Sequence, residues 1–279
     1  MSATSAGPTA AALSAFIDGI GLLGPGLPDW PAAAAALRSP ECYQPARTEL
    51  PAPQSLPPAE RRRATASVKL TLATGREALA MSGRAADGLR TVFAGSGGDG
   101  LNCHVLCEAL ASSDRLISPT RFHNSVHNAP SGYWGIAMHA MAASTVLCAP
   151  HDGSFAAGLL DALVQVRTSG ADVLLLVYDT DYPEPLRSAR PIPDSFGVAL
   201  LLAPQPAAVS VARVAVDPSS ACLPAPADGL GHPGLEALRA AVPAARSLVL
   251  LDSVARAAPA RVRLDYLPGR PLEVDVSPC

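Results

Sequence analysis

The sequence is poor in charged and aromatic residues. Of 279 residues, 16% are charged and 4% are aromatic, and Lys69 is the only lysine among 21 basic residues. With a net charge of −3, the chain has no basic field for nucleic acid, which excludes nucleic-acid binding as its main activity. Because 49% of the residues are hydrophobic, the chain can bury a large core. So few charges also suggest a surface that is hidden by an obligate partner.

Long apolar runs and an export signal are missing as well. The longest apolar candidates, residues 136–150 and 173–178, are short or contain histidine, so a membrane span is not expected. No basic residue precedes Arg38, and Asp18 interrupts the first apolar run, so no signal peptide is predicted. We therefore expect a cytoplasmic protein whose six cysteines are reduced thiols.

Alternating strand and helix patterns predict an α/β layered fold. Residues 1–12 are predicted to be a flexible leader, and Leu13–Leu23 is predicted to be the first strand. The longest helix should begin at Pro58, and a later helix should be capped by Asn102. Residues at helical spacing are expected to face the core: Val68, Leu72, Gly75 and Leu79 in the longest helix, and Val105, Leu106, Ala109 and Leu110 in the later one.

Residues 217–279 are predicted to be a proline-rich connection followed by a small appendage of one helix and one hairpin. The hairpin strands are expected at Val262–Tyr266 and Leu272–Val276, on either side of a Pro-Gly turn.

Pairs of potential metal ligands occur one helical turn apart. Cys103 and Cys107 form one pair, and His123 and His127 form another. A closed zinc site needs four ligands, and no second pair follows either of them at a suitable spacing. We therefore predict that both pairs have packing roles and that the protein has no metal site.

Several segments, in order, resemble β-ketoacyl synthases, which have the thiolase-like fold. The resemblance covers residues 13–216 and is carried by these segments: Phe16–Leu22, Glu60–Arg63, Phe93–Asp99, Ser118–Trp134 and Ala171–Val177. Together they are similar to the short chain-length factors of aryl polyene and xanthomonadin-type pigment clusters. The resemblance implies one thiolase-like half, the N-terminal βαβαβ layer, without the duplicated C-terminal half.

The resemblance also implies that the catalytic nucleophile is missing. Family spacing places the nucleophile at His151 when counted forward and at Asp152 when counted backward, and neither residue is a cysteine. Cys148 should lie upstream within a strand as a small buried hydrophobe, and Ser154 should be a helix N-cap. Only His232 follows residue 216, whereas a condensing enzyme of this family uses two further histidines. We therefore expect no catalytic residue in this chain.

A partner follows from the same resemblance. In ketosynthases the strand that matches Ser144, Thr145, Val146 and Leu147 pairs antiparallel across a dimer interface, so these residues are predicted to contact a ketosynthase subunit in a heterodimer. An acyl carrier protein is the second expected partner, and no cofactor is implied. The residues expected to touch or close the acyl tunnel are Arg121, Phe122, Ser125 and Val126, with Asn128 and Gly132 holding a kink between two helices.

An enzymatic alternative remains open. The chain could be a ketosynthase-like acyltransferase or thioesterase that acts alone, with Cys148 or Ser154 as the nucleophile and His151 as the base.

Overall fold

The computed structural model describes residues 12–148, 151–217 and 224–279. Their strands are β1 (Leu13–Leu23), β2 (Arg90–Gly95), β3 (Ser144–Cys148), β4 (Val173–Asp179), β5 (Phe196–Ala203), β6 (Ala212–Val216), β7 (Ala260–Leu267) and β8 (Arg270–Pro278). Their α-helices are α1 (Trp30–Arg38), α2 (Pro58–Arg63), α3 (Ala66–Ser82), α4 (Gly100–Ala111), α5 (Pro119–His123), α6 (Ala129–Met138), α7 (Ser154–Ser169), α8 (Leu186–Ala189), α9 (Pro233–Ala241) and α10 (Leu248–Ala255). Three 3₁₀ turns span Pro40–Cys42, His151–Gly153 and Pro243–Ser247.

All eight strands belong to one mixed sheet with the order β3-β2-β4-β5-β1-β6-β8-β7. β2 runs parallel to β3 and β4, and the other neighbouring pairs are antiparallel. Side chains alternate between the two faces because successive residues of a strand point in opposite directions. Helices α3 and α6 cover one face, while α1, α7, α9 and α10 cover the other, which gives three layers.

The predicted strand Leu13–Leu23 is confirmed, and the predicted stripe of α3 is buried from Val68 to Leu79. The helix predicted from Pro58 is divided, because Ala64 adopts an extended conformation (ψ 121°) and separates α2 from α3. α3 ends at Gly83, whose φ of 68° is the left-handed conformation that glycine adopts without strain.

Two details of α4 differ from the sequence analysis. The cap is Asp99 and not Asn102, since the Asp99 carboxylate accepts a hydrogen bond from Asn102 N at 2.9 Å. The predicted core-facing residues of α4 are not buried. Of its twelve residues only Gly100 and Asn102 are buried, so most of this apolar helix lacks cover from the described residues.

The described part of the predicted appendage continues the main sheet. β8 pairs with β6, and β7 pairs with β8, so residues 260–278 extend the sheet beyond β1. The apolar side chains of α9 and α10 join the same core as those of α1 and α7. The hairpin is therefore confirmed, but it packs as part of the central fold because its apolar face needs the sheet to be buried.

Candidate functional site

The predicted tunnel residues lie at the joint between α5 and α6. Phe122, Val126, Asn128 and Gly132 line one cavity of about 540 Å³, together with Tyr133 and Ile136. The Phe122 side chain is 66% exposed, so it stands at the mouth of this cavity and not in the core. The cavity wall is mostly apolar, which suits a hydrocarbon chain.

The joint is held mainly by backbone geometry. Pro130 lies in the first turn of α6, where its missing N–H costs nothing. The carbonyl oxygen of Asn128 accepts hydrogen bonds from Gly132 N at 3.0 Å and from Ser131 Oγ at 2.9 Å. Ser125 Oγ donates to the carbonyl oxygen of Phe122 at 2.8 Å and so secures the end of α5. A Cβ on Gly132 would meet no atom within 4 Å, so this glycine is not required for close packing.

Exposed apolar side chains are concentrated in the β2–β3 connection, residues 96–143. Eight of the twelve large hydrophobic residues that are exposed in the described chain belong to it: Leu101, Leu110, Leu116, Ile117, Phe122, Val126, Ile136 and Met141. Met141, just before β3, is 92% exposed. Large exposed apolar patches on a protein mark interaction sites.

β3 follows this connection and forms one edge of the sheet. Thr91 N donates to Ala143 O at 3.2 Å, and Thr91 lies opposite Ser144. In a parallel ladder every second residue turns its N–H and C=O to the same neighbour. The backbone groups of Thr145 and Leu147 therefore face β2, whereas those of Ser144, Val146 and Cys148 point outward from the sheet.

At the opposite edge of the sheet, a loop covers Arg263 in β7. Asp228 N donates to Arg263 O at 2.8 Å, and Arg263 N donates to Asp228 Oδ2 at 2.8 Å. The Asp228 carboxylate also pairs with the Arg263 guanidinium at 2.7 Å. A covered edge is a common protection against strand pairing with another chain.

The turn His151–Gly153 between β3 and α7, which we call the elbow, contains both positions predicted for a nucleophile. His151 has a φ of 36°, a conformation that is strained for a residue with a side chain. The Asp152 side chain is 54% exposed and pairs with Arg246 at 3.1 Å. A Cβ on Gly153 would collide with the carbonyl oxygen of Tyr266 in β7. The turn between β3 and α7 is therefore present, but none of its three residues is a cysteine.

The two alternative nucleophiles differ from their predicted environments. Ser154 is fully buried, and its hydroxyl donates to the carbonyl oxygen of His151 at 2.6 Å, so its proton is not directed at the His151 ring. Ser154 was predicted as the N-cap of α7, but the N-cap is Gly153. Cys148 was predicted to be buried, but it is an exposed free cysteine at the end of an edge strand. The residues that follow Cys148, 149 and 150, lie outside the described part of the chain.

A second cavity, of about 440 Å³, lies beside α5 and is lined by several basic side chains. It is lined by Arg62, Arg63, Lys69 and Arg121, with Asp99 contributing one negative charge. We call it the basic cavity. Arg121, which was predicted to touch the tunnel, lines this cavity, whereas Phe122 lines the cavity described above. Sequence reasoning missed the grouping, although the chain's single lysine was a possible signal.

A buried carboxyl group joins the ends of two parallel strands. Asp179, at the end of β4, accepts hydrogen bonds from Ser96 N at 3.1 Å and from Ala244 N at 2.8 Å. The Ser96 hydroxyl donates to it as well. Burial raises the pKa of Asp179 to about 6, and these hydrogen bonds oppose the increase. Asp179 therefore links β2 and β4 to the turn Pro243–Ser247.

Neither a metal centre nor a membrane helix was found in the described chain. Within residues 12–148, 151–217 and 224–279, no three His, Cys, Asp or Glu side chains are grouped closely enough to hold a metal ion. The helices of the same ranges are too short or too polar to cross a bilayer.

Comparison with protein families gives a match to the β-ketoacyl synthase N-terminal domain over residues 33–253. The structure is similar to a chain of a ketosynthase (ApeO) in complex with its chain length factor (ApeC) from Xenorhabdus doucetiae. The TM-score is 0.68 at 22% identity, and the match covers 95% of this chain and 99% of that one. A chain of the ishigamide ketosynthase/chain length factor gives a TM-score of 0.67 at 15% identity with the same coverage.

A third similar structure is a complex of a type II polyketide synthase acyl carrier protein with its ketosynthase. Its TM-score is 0.57 at 12% identity, and the match covers 68% of this chain and 63% of that one. No curated protein sequence matches. At these identities the structural likenesses establish a shared fold.

Proposed function

Because the chain belongs to the family of β-ketoacyl synthase N-terminal domains, we propose that it is a non-catalytic subunit of the chain-length-factor type. It pairs with a ketosynthase in type II polyketide or aryl polyene synthesis and shapes the tunnel for the growing acyl chain. Its place of action is the cytoplasm. The two most similar structures named above contain such pairs, which supports this assignment.

One observation carries the proposal: the open edge of β3 follows directly after a connection that exposes eight large hydrophobic side chains. Unpaired strand edges and apolar surface of this kind are a liability for a chain that stays alone. A ketosynthase subunit that presents its own strand antiparallel to β3 would satisfy the outward backbone groups of Ser144 and Val146. The same partner would cover α4, whose apolar residues lack cover in this chain.

The elbow supports a role without catalysis. A ketosynthase requires a thiolate at this turn, and a low thiol pKa at a helix N-terminus is what activates it. Here the two candidate positions are His151 and Asp152, and Asp152 is already paired with Arg246. Ser154 is buried with its hydroxyl bonded to the backbone, which argues against the alternative of an independent acyltransferase or thioesterase that uses this residue.

The first experiment is co-expression with a ketosynthase of the aryl polyene type, followed by affinity purification and light scattering. We expect a 1:1 complex and poor recovery of the chain without its partner. A monomer that stays stable alone and ignores the ketosynthase would contradict the proposal. Incubation with a labelled acyl carrier protein should place the acyl group on the ketosynthase. Acylation of this chain that is lost in Cys148→Ala would instead establish the enzymatic alternative.

Phe122 is the residue expected to limit the depth of the tunnel. It is a rigid aromatic at the mouth of the cavity near α5, and its exposed ring is available to reach into a partner's acyl pocket. In the reconstituted complex Phe122→Ala should shift the products toward longer chains, because removing the ring lengthens the space. Leu116→Ala is a suitable control, since Leu116 is exposed but does not line this cavity. Equal product lengths in both variants would reject the role of Phe122.

The basic cavity is the surface proposed to face the acyl carrier protein. The carrier's phosphopantetheine arm contains a phosphodiester, and grouped Arg and Lys side chains bind phosphate through charge-assisted hydrogen bonds. Reversing two charges by Arg62→Glu and Lys69→Glu should raise the apparent KM for the acyl carrier while leaving ketosynthase binding unchanged. The control, Arg270→Glu, changes charge in the turn between β7 and β8. If the double variant and the Arg270→Glu control change the apparent KM for the acyl carrier equally, the basic cavity is not the docking surface.

A further inference from the structure

The tail of the chain, residues 224–279, contains a series of ion pairs that ends at the elbow. Arg239 in α9 pairs with Glu236 at 2.7 Å and with Asp265 in β7 at 2.8 Å. Arg246, in the turn Pro243–Ser247, lies 3.6 Å from Asp265 and 3.1 Å from Asp152. We call this series, from Glu236 to Asp152, the tail network.

The two arginines of the network are too buried for ordinary surface pairs. Each has a side chain that is only 10% exposed. Charges removed from water to this extent must be compensated by partners, and such pairs fix the geometry of the groups they join. Arg239 holds Glu236 through two hydrogen bonds, each 2.7 Å long, and this contact lowers the pKa of Glu236. The network is therefore a defined arrangement and not a loose cluster.

The turn that carries Arg246 is anchored a second time. Ala244 N donates to Asp179 at the end of β4, and Asp179 in turn binds Ser96 at the end of β2. The segment Pro243–Ser247 is thus bonded directly to the end of β4, through Asp179 to the end of β2, and through Arg246 to the elbow that follows β3. No local sequence signal requires these contacts, since Arg246 and Asp152 are far apart in the chain.

Two features of the elbow indicate that it needs support from the tail. His151 is held at a φ of 36°, and Gly153 lies directly against the backbone of Tyr266. The elbow begins α7, and α7 supports β3 through Gln165, whose Nε2 donates to Thr145 Oγ1 at 3.0 Å. Movement of the elbow would move the start of α7 and, with it, the support of the open strand.

We propose that the tail network is a positioning device that fixes the elbow and α7 so that β3 can pair with the ketosynthase. Asp152, at one of the two positions that family spacing gives to the nucleophile, is used here as an anchor for the tail. This inference rests on the proposed function and assigns a role to residues 224–279. Asp152 and Arg246 act through α7 and β3, so they are positioning residues.

Asp152→Asn is the variant that isolates the link. It removes the charge at the elbow but leaves Arg246 paired with Asp265, so no buried arginine is stranded. We expect the dissociation constant of the ketosynthase complex to rise roughly three- to thirtyfold, the range typical of residues that couple two sites. Asp275→Asn is the matched control, because it breaks the exposed pair of Arg261 and Asp275 in the same tail. The control should bind within about twofold of the wild type.

Hydrogen exchange of the chain alone provides a measurement that needs no partner. In Asp152→Asn the amides of Thr145 and Leu147, which face β2, and those of residues 157–160, in the first hydrogen-bonded turn of α7, should exchange faster than in the wild type, while those of α4 should not change. Equal exchange at the start of α7 and in β3, or equal ketosynthase binding by both variants, would overturn the tail network as a positioning device. A wild-type chain that binds no ketosynthase would instead refute the proposed function, and the exchange data would still decide whether the tail holds the elbow.

Discussion

Proline at position 146 gives the most direct test of the open edge of β3. The N–H of Val146 points outward, as the bond from Thr91 N to Ala143 O and the register of β2 with β3 require. Val146→Pro removes a donor that the chain's own sheet does not use, and proline is tolerated in edge strands for this reason. We expect the free energy of unfolding of the chain alone to fall by about 1 kcal/mol or less.

The effect on pairing with a ketosynthase should be much larger. The lost hydrogen bond contributes about 1 kcal/mol, and the carbonyl group left unpaired in the partner costs a further ~1–3 kcal/mol. The sum of about 2–4 kcal/mol corresponds to a dissociation constant raised roughly 30- to 700-fold. Isothermal titration calorimetry or surface plasmon resonance with the purified ketosynthase would measure this change.

Two further variants make the test specific. Val146→Ile keeps the N–H and the β-branched shape, so it should bind nearly as well as the wild type. Thr145→Pro removes an N–H that faces β2. It should therefore lower the free energy of unfolding of the chain alone by about 3 kcal/mol or more. If Val146→Pro folds and binds like Val146→Ile, the partner does not pair with β3, and the reasoning from the open edge is refuted.

Three other predictions concern the chain alone. Because burial raises the pKa of Asp179 to about 6, above its unfolded value, the folded state binds this proton more tightly. The free energy of unfolding should therefore rise by about 1 kcal/mol as the pH falls from 7 to 5, and urea titrations of Asp179→Asn should lack this rise. Gly83 and Ala257 both have positive φ, a conformation that costs a residue with a Cβ about 1 kcal/mol. In thermal unfolding, Gly83→Ala should therefore destabilise the chain by about this amount, and Ala257→Gly should stabilise it by about the same amount. Gly75→Ala should cost about 1–3 kcal/mol, since the added methyl group would collide with the Trp134 ring, and near-ultraviolet circular dichroism should report the displaced indole.

Local patterns predicted the elements more reliably than their surroundings. The strand Leu13–Leu23 was predicted with its observed bounds, and the hairpin was predicted around its Pro-Gly turn with strands that lie within β7 and β8, because apolar runs and turn residues act over a few neighbouring positions. The tail was expected to be a separate appendage because a proline-rich connection, residues 218–233, precedes its predicted helix and hairpin. Its place in the sheet depends on long-range pairs such as Val214 with Val276, and residue periodicity contains no information about such partners.

The apolar residues of α4 show a second limit of sequence reasoning. An apolar helix face has the same sequence pattern whether the core of its own chain or another chain covers it. Leu110 was therefore expected in the core, and the structure leaves it exposed. Four of the residues predicted for the tunnel, within the range 122–132, line one cavity, because residues so close in sequence at a helix–helix joint fold together; their role in a tunnel stays a prediction. The pair of Asp152 and Arg246 could not be predicted, because only the folded sheet brings these distant segments together.

The two edges of the sheet, considered together, limit the size of the assembly. A sheet with two open edges can add a strand on each side, and identical contacts that do not close lead to filaments. Here Asp228 occupies both the N–H and the C=O of Arg263 in β7, so that edge offers no free ladder position at this residue. At the β3 edge, in contrast, no described residue bonds the outward backbone groups of Ser144 and Val146, so this edge can accept one strand from one partner. A chain built in this way supports a closed pair, which is the assembly that the proposed function requires.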